Sequence, residues 1–224
     1  MPDSVSRNIP FPLDGKRIEA IGGETIWQAA ARHGTDIPHL CYKDATDYRA
    51  DGNCRACMVE IEGERVLAAS CIRTPTEGMV VTSDSHRADS ARKMVMELLV
   101  ADQPARDTAH DPASELWRYA DSQNVSTSRF PAKQAPAPDS SHPAIAVNMD
   151  ACIQCNLCVR ACREVQVNDA IGLAGRGADA HIIFDFDDDM GASTCVGCGE
   201  CVQACPTGAL MPKTLLDDTQ KLAI

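Results

Sequence analysis

Twelve cysteines fall into three tight groups of four, and no other feature of the 224-residue sequence restricts its fold as strongly. The groups are Cys41, Cys54, Cys57 and Cys71; Cys152, Cys155, Cys158 and Cys162; and Cys195, Cys198, Cys201 and Cys205. Ordinary buried thiols would be scattered, because a free cysteine packs as a small hydrophobic side chain. Grouped thiols in a chain without a recognisable export signal instead indicate metal binding or redox chemistry.

The second and third groups repeat the pattern C-x-x-C-x-x-C-x-x-x-C, over residues 152–162 and 195–205. In this pattern the first three cysteines hold one 4Fe–4S cluster and the fourth reaches the other cluster. Pro206 follows Cys205 as the full pattern requires, whereas Arg163 stands at the matching position after Cys162. The spacing therefore predicts two ligand sets: Cys152, Cys155, Cys158 and Cys205 for the first four-iron site, and Cys195, Cys198, Cys201 and Cys162 for the second.

The first group has a lone cysteine, then a C-x-x-C pair, then a remote fourth cysteine. This order is typical of plant-type 2Fe–2S sites, although the gap of 12 residues between Cys41 and Cys54 is longer than in those proteins. A C-x-H pair is missing from the sequence, which excludes a Rieske site. The pattern predicts that Cys41, Cys54, Cys57 and Cys71 hold a 2Fe–2S cluster. Zinc stays open as an alternative, because it also binds C-x-x-C pairs.

Residues 1–83 are predicted to form a β-grasp domain of the 2Fe–2S ferredoxin type. Asp14-Gly15 between two short extended runs indicates a hairpin. Apolar residues at helical spacing follow, and Gly34 is a typical helix end. A second hairpin is predicted to turn at residues 62–64, and a last short strand over residues 78–83.

Residues 84–145 are predicted to form a helical connector and a linker. Asp84 or Ser85 could cap a first helix, and Asp111 with Pro112 is predicted to start a second. The Pro- and Ser-rich stretch that follows predicts an extended linker. Residues 146–224 are predicted to form a loop-rich double 4Fe–4S domain of the bacterial type, with a hairpin insertion between its repeats and a C-terminal tail, so the fold class is α+β.

Composition excludes several functions. The formal net charge is −11 and the pI is near 4.9, which argues against nucleic-acid binding, since phosphate contacts need a basic surface. Apolar stretches are too short to span a membrane. We therefore expect a cytoplasmic protein without a membrane partner. No catalytic triad, nucleotide fingerprint or paired carboxylate motif is present, so no catalytic residue is expected in this chain.

Two stretches carry a resemblance to a known family. The sequence "HLCYKDATDYRADGNCRACMVEIEG" resembles the 2Fe–2S domain of the large iron–sulfur subunit of respiratory complex I. It is also similar to that domain in NAD-reducing hydrogenases and NAD-dependent formate dehydrogenases. Residues 141–177 with "FDFDDDMGASTCVGCGECVQACPTGALMPK" are most similar to the formate dehydrogenase alpha subunit. The resemblance covers about residues 10–215.

The resemblance implies an electron-transfer subunit with one 2Fe–2S and two 4Fe–4S clusters. Its expected partners are a molybdenum- or tungsten-pterin subunit that oxidises formate and a flavin (FMN) subunit that reduces NAD. The alternative in the same class is the diaphorase small subunit of an NAD-reducing nickel–iron hydrogenase. A different class, a zinc-stabilised scaffold without a redox role, is the third hypothesis.

The chain departs from the family pattern in two ways. Relatives commonly carry a further 4Fe–4S site built from a histidine and three cysteines. Here the sequence between Cys71 and Cys152 contains no cysteine, so His110 alone cannot form that site and we predict its absence. The alpha subunit also continues into a pterin domain, whereas this sequence ends at Ile224. We expect either a separate catalytic subunit or a shortened relative.

Overall fold

The computed structural model describes residues 8–134 and 136–216. By its internal contacts the chain forms two units, and each is described by itself. The first unit runs up to Asp44 and includes Ala50–Met96; the second contains Ala45–Arg49 and the chain from Glu97 onward. The predicted C-terminal tail beyond residue 216 lies outside the described residues.

A five-stranded sheet forms the first unit. Its strands are β1 (Ile9–Leu13), β2 (Lys16–Ala20), β3 (Met58–Ile61), β4 (Ala68–Ala69) and β5 (Val81–Thr82). The strand order is β2-β1-β5-β3-β4, with β1 and β5 parallel and the other pairs antiparallel. Asp14 and Gly15 both have positive φ, 52° and 74°, as a tight hairpin turn with native strand twist requires. The two predicted hairpins and the predicted last strand are confirmed.

Helix α1 (Ile26–Arg32) packs on this sheet, and its start follows from a capping box. Thr25 Oγ1 accepts the Gln28 N–H at 3.2 Å, and the Gln28 side chain accepts the Thr25 N–H at 3.0 Å. Gly34 follows the helix with a φ of +81°, so the predicted stop is confirmed. Ile26, Ala29 and Ala30 are buried toward the sheet.

The core of the first unit extends from the sheet to two of the grouped cysteines. Phe11, Val59 and Val81 are fully buried, and the same apolar cluster includes Cys57 and Cys71. Both thiols are thus closely packed by the apolar side chains of this core.

Helix α2 (His86–Ala101) begins as predicted, because Ser85 Oγ accepts the Ala88 N–H at 3.1 Å. The prediction for the next helix was wrong at its start. Helix α3 (Glu115–Ser122) begins after Ser114, not after Asp111. The Asp111 carboxylate accepts the Ala113 N–H at 3.2 Å, but the turn that it closes does not continue as a helix, which begins only at Glu115.

The Pro- and Ser-rich stretch contains no helix or strand among its described residues, but backbone contacts fix it. Lys133 N–H donates to Asp102 Oδ1 at 3.1 Å. Asp139 and Val147 exchange backbone hydrogen bonds at 2.9 and 3.1 Å. The stretch is therefore part of the second unit and not a free spacer between units.

Short elements build the rest of the second unit. The strands are β6 (Ile145–Val147) paired with β9 (Leu210–Pro212), and β7 (Ile171–Ala174) paired with β8 (His181–Phe184), both antiparallel. The predicted hairpin between the repeats is thus confirmed. Helix α4 (Leu157–Arg160) continues into a π-helical turn at Ala161–Val165, and α5 (Glu200–Ala204) is its counterpart in the second repeat. Within the described part of the chain, every helix is too short or too polar to cross a membrane.

Candidate metal centres

The first four cysteines converge in the first unit. Cys57 and Cys71 are fully buried, with their Sγ atoms 3.4 Å apart. Cys54 N–H donates to Cys41 Sγ at 3.3 Å, and Ala56 N–H donates to Cys54 Sγ at 3.5 Å. Backbone N–H groups that point at sulfur stabilise the thiolate form, and they tune the reduction potential of a metal centre bound to it.

Charge is shared unevenly among these thiols. Hydrogen bonds with Cys54 and Cys71 lower the pKa of Cys41 to about 2, and the hydrogen bond with Cys71 lowers the pKa of Cys57 to about 7. The thiolate is the form that ligates metal. Hydrogen bonds with Cys41 raise the pKa of Cys54 and of Cys71, so the negative charge collects on Cys41 and Cys57. Four neighbouring cysteines that share charge in this way are a donor set that fits a 2Fe–2S cluster.

Each C-x-x-C-x-x-C motif of the second unit turns by means of two left-handed residues. In the first motif these are Gln154 and Asn156, with φ of 54° and 63°. In the second they are Gly197 and Gly199, at the same positions, with φ of 69° and 79°. In both motifs the first left-handed residue donates its N–H to the first cysteine at 3.4 Å. The sequence repeat is thus also a repeat of conformation.

A cavity in the second unit is lined by the four cysteines of the first predicted four-iron set, Cys152, Cys155, Cys158 and Cys205. Most other lining side chains are apolar, among them Ile153, Ile182 and Leu210. Burial, reinforced by the charges of the other three cysteines, raises the pKa of the Cys158 thiol. Four sulfurs around one apolar cavity fit a cluster that must be kept from water.

The other four cysteines of the second unit also form one group. Burial raises the pKa of Cys201 to about 12, and Cys195, Cys198 and Cys162 add to the effect through their charges. Cys162 comes from the first repeat, so this group combines cysteines of both motifs. Cys198 is exposed, whereas Cys201 is buried. This group of cysteines therefore reaches the surface at Cys198.

Several side chains near these sites were not predicted. Thr207 Oγ1 lies 3.6 Å from Cys205 Sγ, and Lys133 Nζ donates to the Cys152 carbonyl at 3.1 Å. Tyr48 donates its hydroxyl proton to Glu200 Oε1 at 2.9 Å, beside Cys201. The long gap between Cys41 and Cys54 is the sequence signal that could have drawn attention to Tyr48.

His110 lies beside a carboxylate in the second unit. Its Nε2 lies 3.7 Å from Asp150 Oδ2. Within residues 8–134 and 136–216, no three His, Cys, Asp or Glu side chains converge on one point as ligands of a single metal ion.

Family comparisons define the class of protein to which these two units correspond. Residues 6–86 match the 2Fe-2S iron-sulfur cluster binding domain, and residues 151–209 match the 4Fe-4S dicluster domain. The chain is therefore an iron–sulfur protein, with an N-terminal 2Fe–2S domain and a C-terminal domain for two 4Fe–4S clusters.

Its iron–sulfur domains are related to those of NADH-quinone oxidoreductase and of NAD-reducing hydrogenase. The NADP-reducing hydrogenase subunit HndD of Solidesulfovibrio fructosivorans is 35% identical, over 91% of this chain and 36% of that protein. The G 2 subunit of the NADH-quinone oxidoreductase of Rhizobium meliloti is 34% identical, over 91% of this chain and 24% of that protein. The chain thus spans about a quarter to a third of the length of these curated relatives.

One solved structure contains a chain with the same fold as this protein over nearly the whole length of both chains. The crystal structure of an NAD+-reducing [NiFe]-hydrogenase in the H2-reduced state contains a chain with a TM-score of 0.85 and 28% identity. The match covers 94% of this chain and 89% of that one.

Proposed function

We propose that this chain is the iron–sulfur electron-transfer subunit of an NAD-linked oxidoreductase complex. The observation that carries the proposal is the arrangement of twelve cysteines in three groups of four, in domains that match the 2Fe–2S and 4Fe–4S dicluster families. Such clusters, when bound, accept and release single electrons. The chain would supply their position, their insulation from water and hydrogen bonds to their sulfurs.

The ligand sets belong to the same proposal. The cavity lined by four cysteines and the grouping around Cys201 support them for the four-iron sites. The proposed ligands are Cys41, Cys54, Cys57 and Cys71 for the 2Fe–2S cluster; Cys152, Cys155, Cys158 and Cys205 for the first 4Fe–4S cluster; and Cys195, Cys198, Cys201 and Cys162 for the second.

Metal and sulfide analysis tests this proposal directly. Protein purified without oxygen is expected to contain about ten irons and about ten acid-labile sulfides per chain, because one two-iron and two four-iron clusters add to that number. The reduced protein should show EPR signals of both cluster types. Zinc in place of iron, or a single type of signal, would overturn the proposal.

Two catalytic partners are candidates for the complex. The resemblance of residues 141–213 to the formate dehydrogenase alpha subunit supports a molybdenum- or tungsten-pterin subunit. The 94% and 89% coverage shared with a chain of the NAD+-reducing [NiFe]-hydrogenase supports the diaphorase role as the second candidate. In both, the other partner would be a flavin subunit that reduces NAD.

Co-purification distinguishes the two candidates. A tagged copy of the chain, isolated from its own cells under anaerobic conditions, is expected to bring down a flavin protein in both cases. A pterin with molybdenum or tungsten would identify the formate dehydrogenase, and nickel would identify the hydrogenase. The control is a chain with Cys57, Cys158 and Cys201 replaced by serine. A wild-type chain that brings down neither a flavin protein nor a metal-bearing partner would contradict the complex.

A further inference from the structure

The long gap between Cys41 and Cys54 has a structural explanation. Its middle part, Ala45–Arg49, belongs to the second unit, although the residues on both sides belong to the first. Tyr48 is only 7% exposed there, so the segment buries a large side chain. Its hydroxyl donates to Glu200 Oε1 at 2.9 Å.

The partners of this segment lie beside ligands of the second four-iron site. Glu200 immediately precedes Cys201 in the sequence. Arg49 Nε lies 3.2 Å from Glu164 Oε1, two residues after Cys162. The Arg49 side chain is 68% exposed, so this ion pair contributes little by itself. We therefore expect the hydrogen bond from the buried Tyr48 hydroxyl to contribute more than this ion pair.

The two repeats differ at the position that Tyr48 contacts. Glu200 in the second motif corresponds to Leu157 in the first, and Leu157 is buried and apolar. A carboxylate thus stands directly before the third cysteine of one four-iron site and not of the other. The buried guanidinium of Arg160, two residues before Cys162, lies within electrostatic reach of the Tyr48 hydroxyl. The two sites therefore differ in their charged neighbours: Glu200 and Arg160 lie beside the second, whereas Lys133 lies beside Cys152 of the first.

The effect of this carboxylate on an electron acceptor follows from Coulomb's law. A negative charge beside a thiolate-bound cluster makes the addition of an electron less favourable. A hydrogen bond donated to a carboxylate is strong, and it offsets part of the charge and fixes the orientation of the group. The buried Tyr48 hydroxyl thus offsets part of the Glu200 charge and fixes the orientation of its carboxylate.

We propose that Tyr48 is a positioning residue that tunes the reduction potential of the second four-iron site through Glu200. The inference rests on the proposed function, since it assumes a 4Fe–4S cluster held by Cys162, Cys195, Cys198 and Cys201. By this proposal, the long loop between Cys41 and Cys54 helps to set the difference in reduction potential between two four-iron sites whose motifs are otherwise repeated.

Redox titration of the full-length, cluster-loaded chain, followed by EPR, tests the inference. In Tyr48→Phe the ring stays and only the hydroxyl is lost. One of the two four-iron midpoint potentials should fall, because the Glu200 charge is then less offset. In Glu200→Gln the same potential should rise, because a negative charge is removed. The double variant should match Glu200→Gln, since Tyr48 acts through that carboxylate.

Tyr42→Phe is the matched control. Tyr42 also donates its hydroxyl to a carboxylate, Asp44 Oδ1 at 2.8 Å, but it follows the 2Fe–2S ligand Cys41. We expect it to move the two-iron signal and neither four-iron potential.

The outcomes separate the inference from the proposed function. Wild-type protein without clusters would overturn both. Loaded Tyr48→Phe with both four-iron potentials unchanged, or shifted equally, would overturn the inference alone. If the Tyr48→Phe variant loses iron, the redox titration of the Glu200→Gln variant takes its place. Unchanged four-iron potentials in Glu200→Gln would also overturn the inference.

Discussion

Cys158→Ser is expected to remove the iron of one four-iron site and to destabilise the second unit. The Cys158 thiol is buried among three other cysteines, and a serine hydroxyl there is a poor iron ligand. Loss of a structural metal site belongs to the small class of changes that cost about 4 kcal/mol or more of unfolding free energy. Iron content and thermal unfolding measured on the same sample check this.

Cys198→Ser is the matched comparison, because Cys198 is an exposed cysteine in the other four-iron set. It should also lose about four irons per chain. Its stability loss should be smaller, since a serine hydroxyl at an exposed position keeps its contact with water. A Cys158→Ser protein with wild-type iron content and an unchanged melting temperature would refute the ligand role of Cys158.

Removal of all iron and sulfide is expected to unfold the second unit far more than the first. The first unit keeps an apolar core that includes Phe11, Ile26, Val59 and Val81, supported by a five-stranded sheet. Helices α4 and α5 have only four and five residues, and paired strands β6 and β9 have three each. Elements this short need fixed partners, because isolated helices below about 12 residues are marginal in water.

Hydrogen exchange of the holo and apo chains measures this difference. Amides of β6, α4, α5 and β9 should exchange many-fold faster in the apo chain, whereas those of β1, β2 and α1 should change much less. Equal loss of protection in both units, or none in either, would show that cluster binding does not stabilise the second unit selectively.

Local sequence signals predicted the parts of the fold that depend on neighbouring residues. Asp14-Gly15 indicated the β1–β2 hairpin, Asp84 or Ser85 indicated the start of α2, and Gly34 marked the end of α1. In each case the determining interaction spans only a few residues. The error at α3 also concerned a local signal: the Asp111 carboxylate closes a turn with Ala113, but the helix begins only at Glu115.

Long-range contacts explain what the sequence could not predict. The Pro- and Ser-rich stretch has a composition typical of a linker, yet Asp139 pairs with Val147 and Lys133 bonds to Asp102. Tyr48 and Glu200 are 152 residues apart, so no local pattern could join them.

The cysteine spacing alone predicted which thiols belong together, and it indicated the cofactor class that the domain matches support, because ligand geometry around an iron–sulfur cluster admits few spacings. It did not determine what surrounds those thiols. Burial of Cys158, exposure of Cys198 and the Tyr48–Glu200 contact come from side chains far apart in the chain. The tertiary structure brings these side chains together, and the electrostatic environment of each group of cysteines depends on that packing.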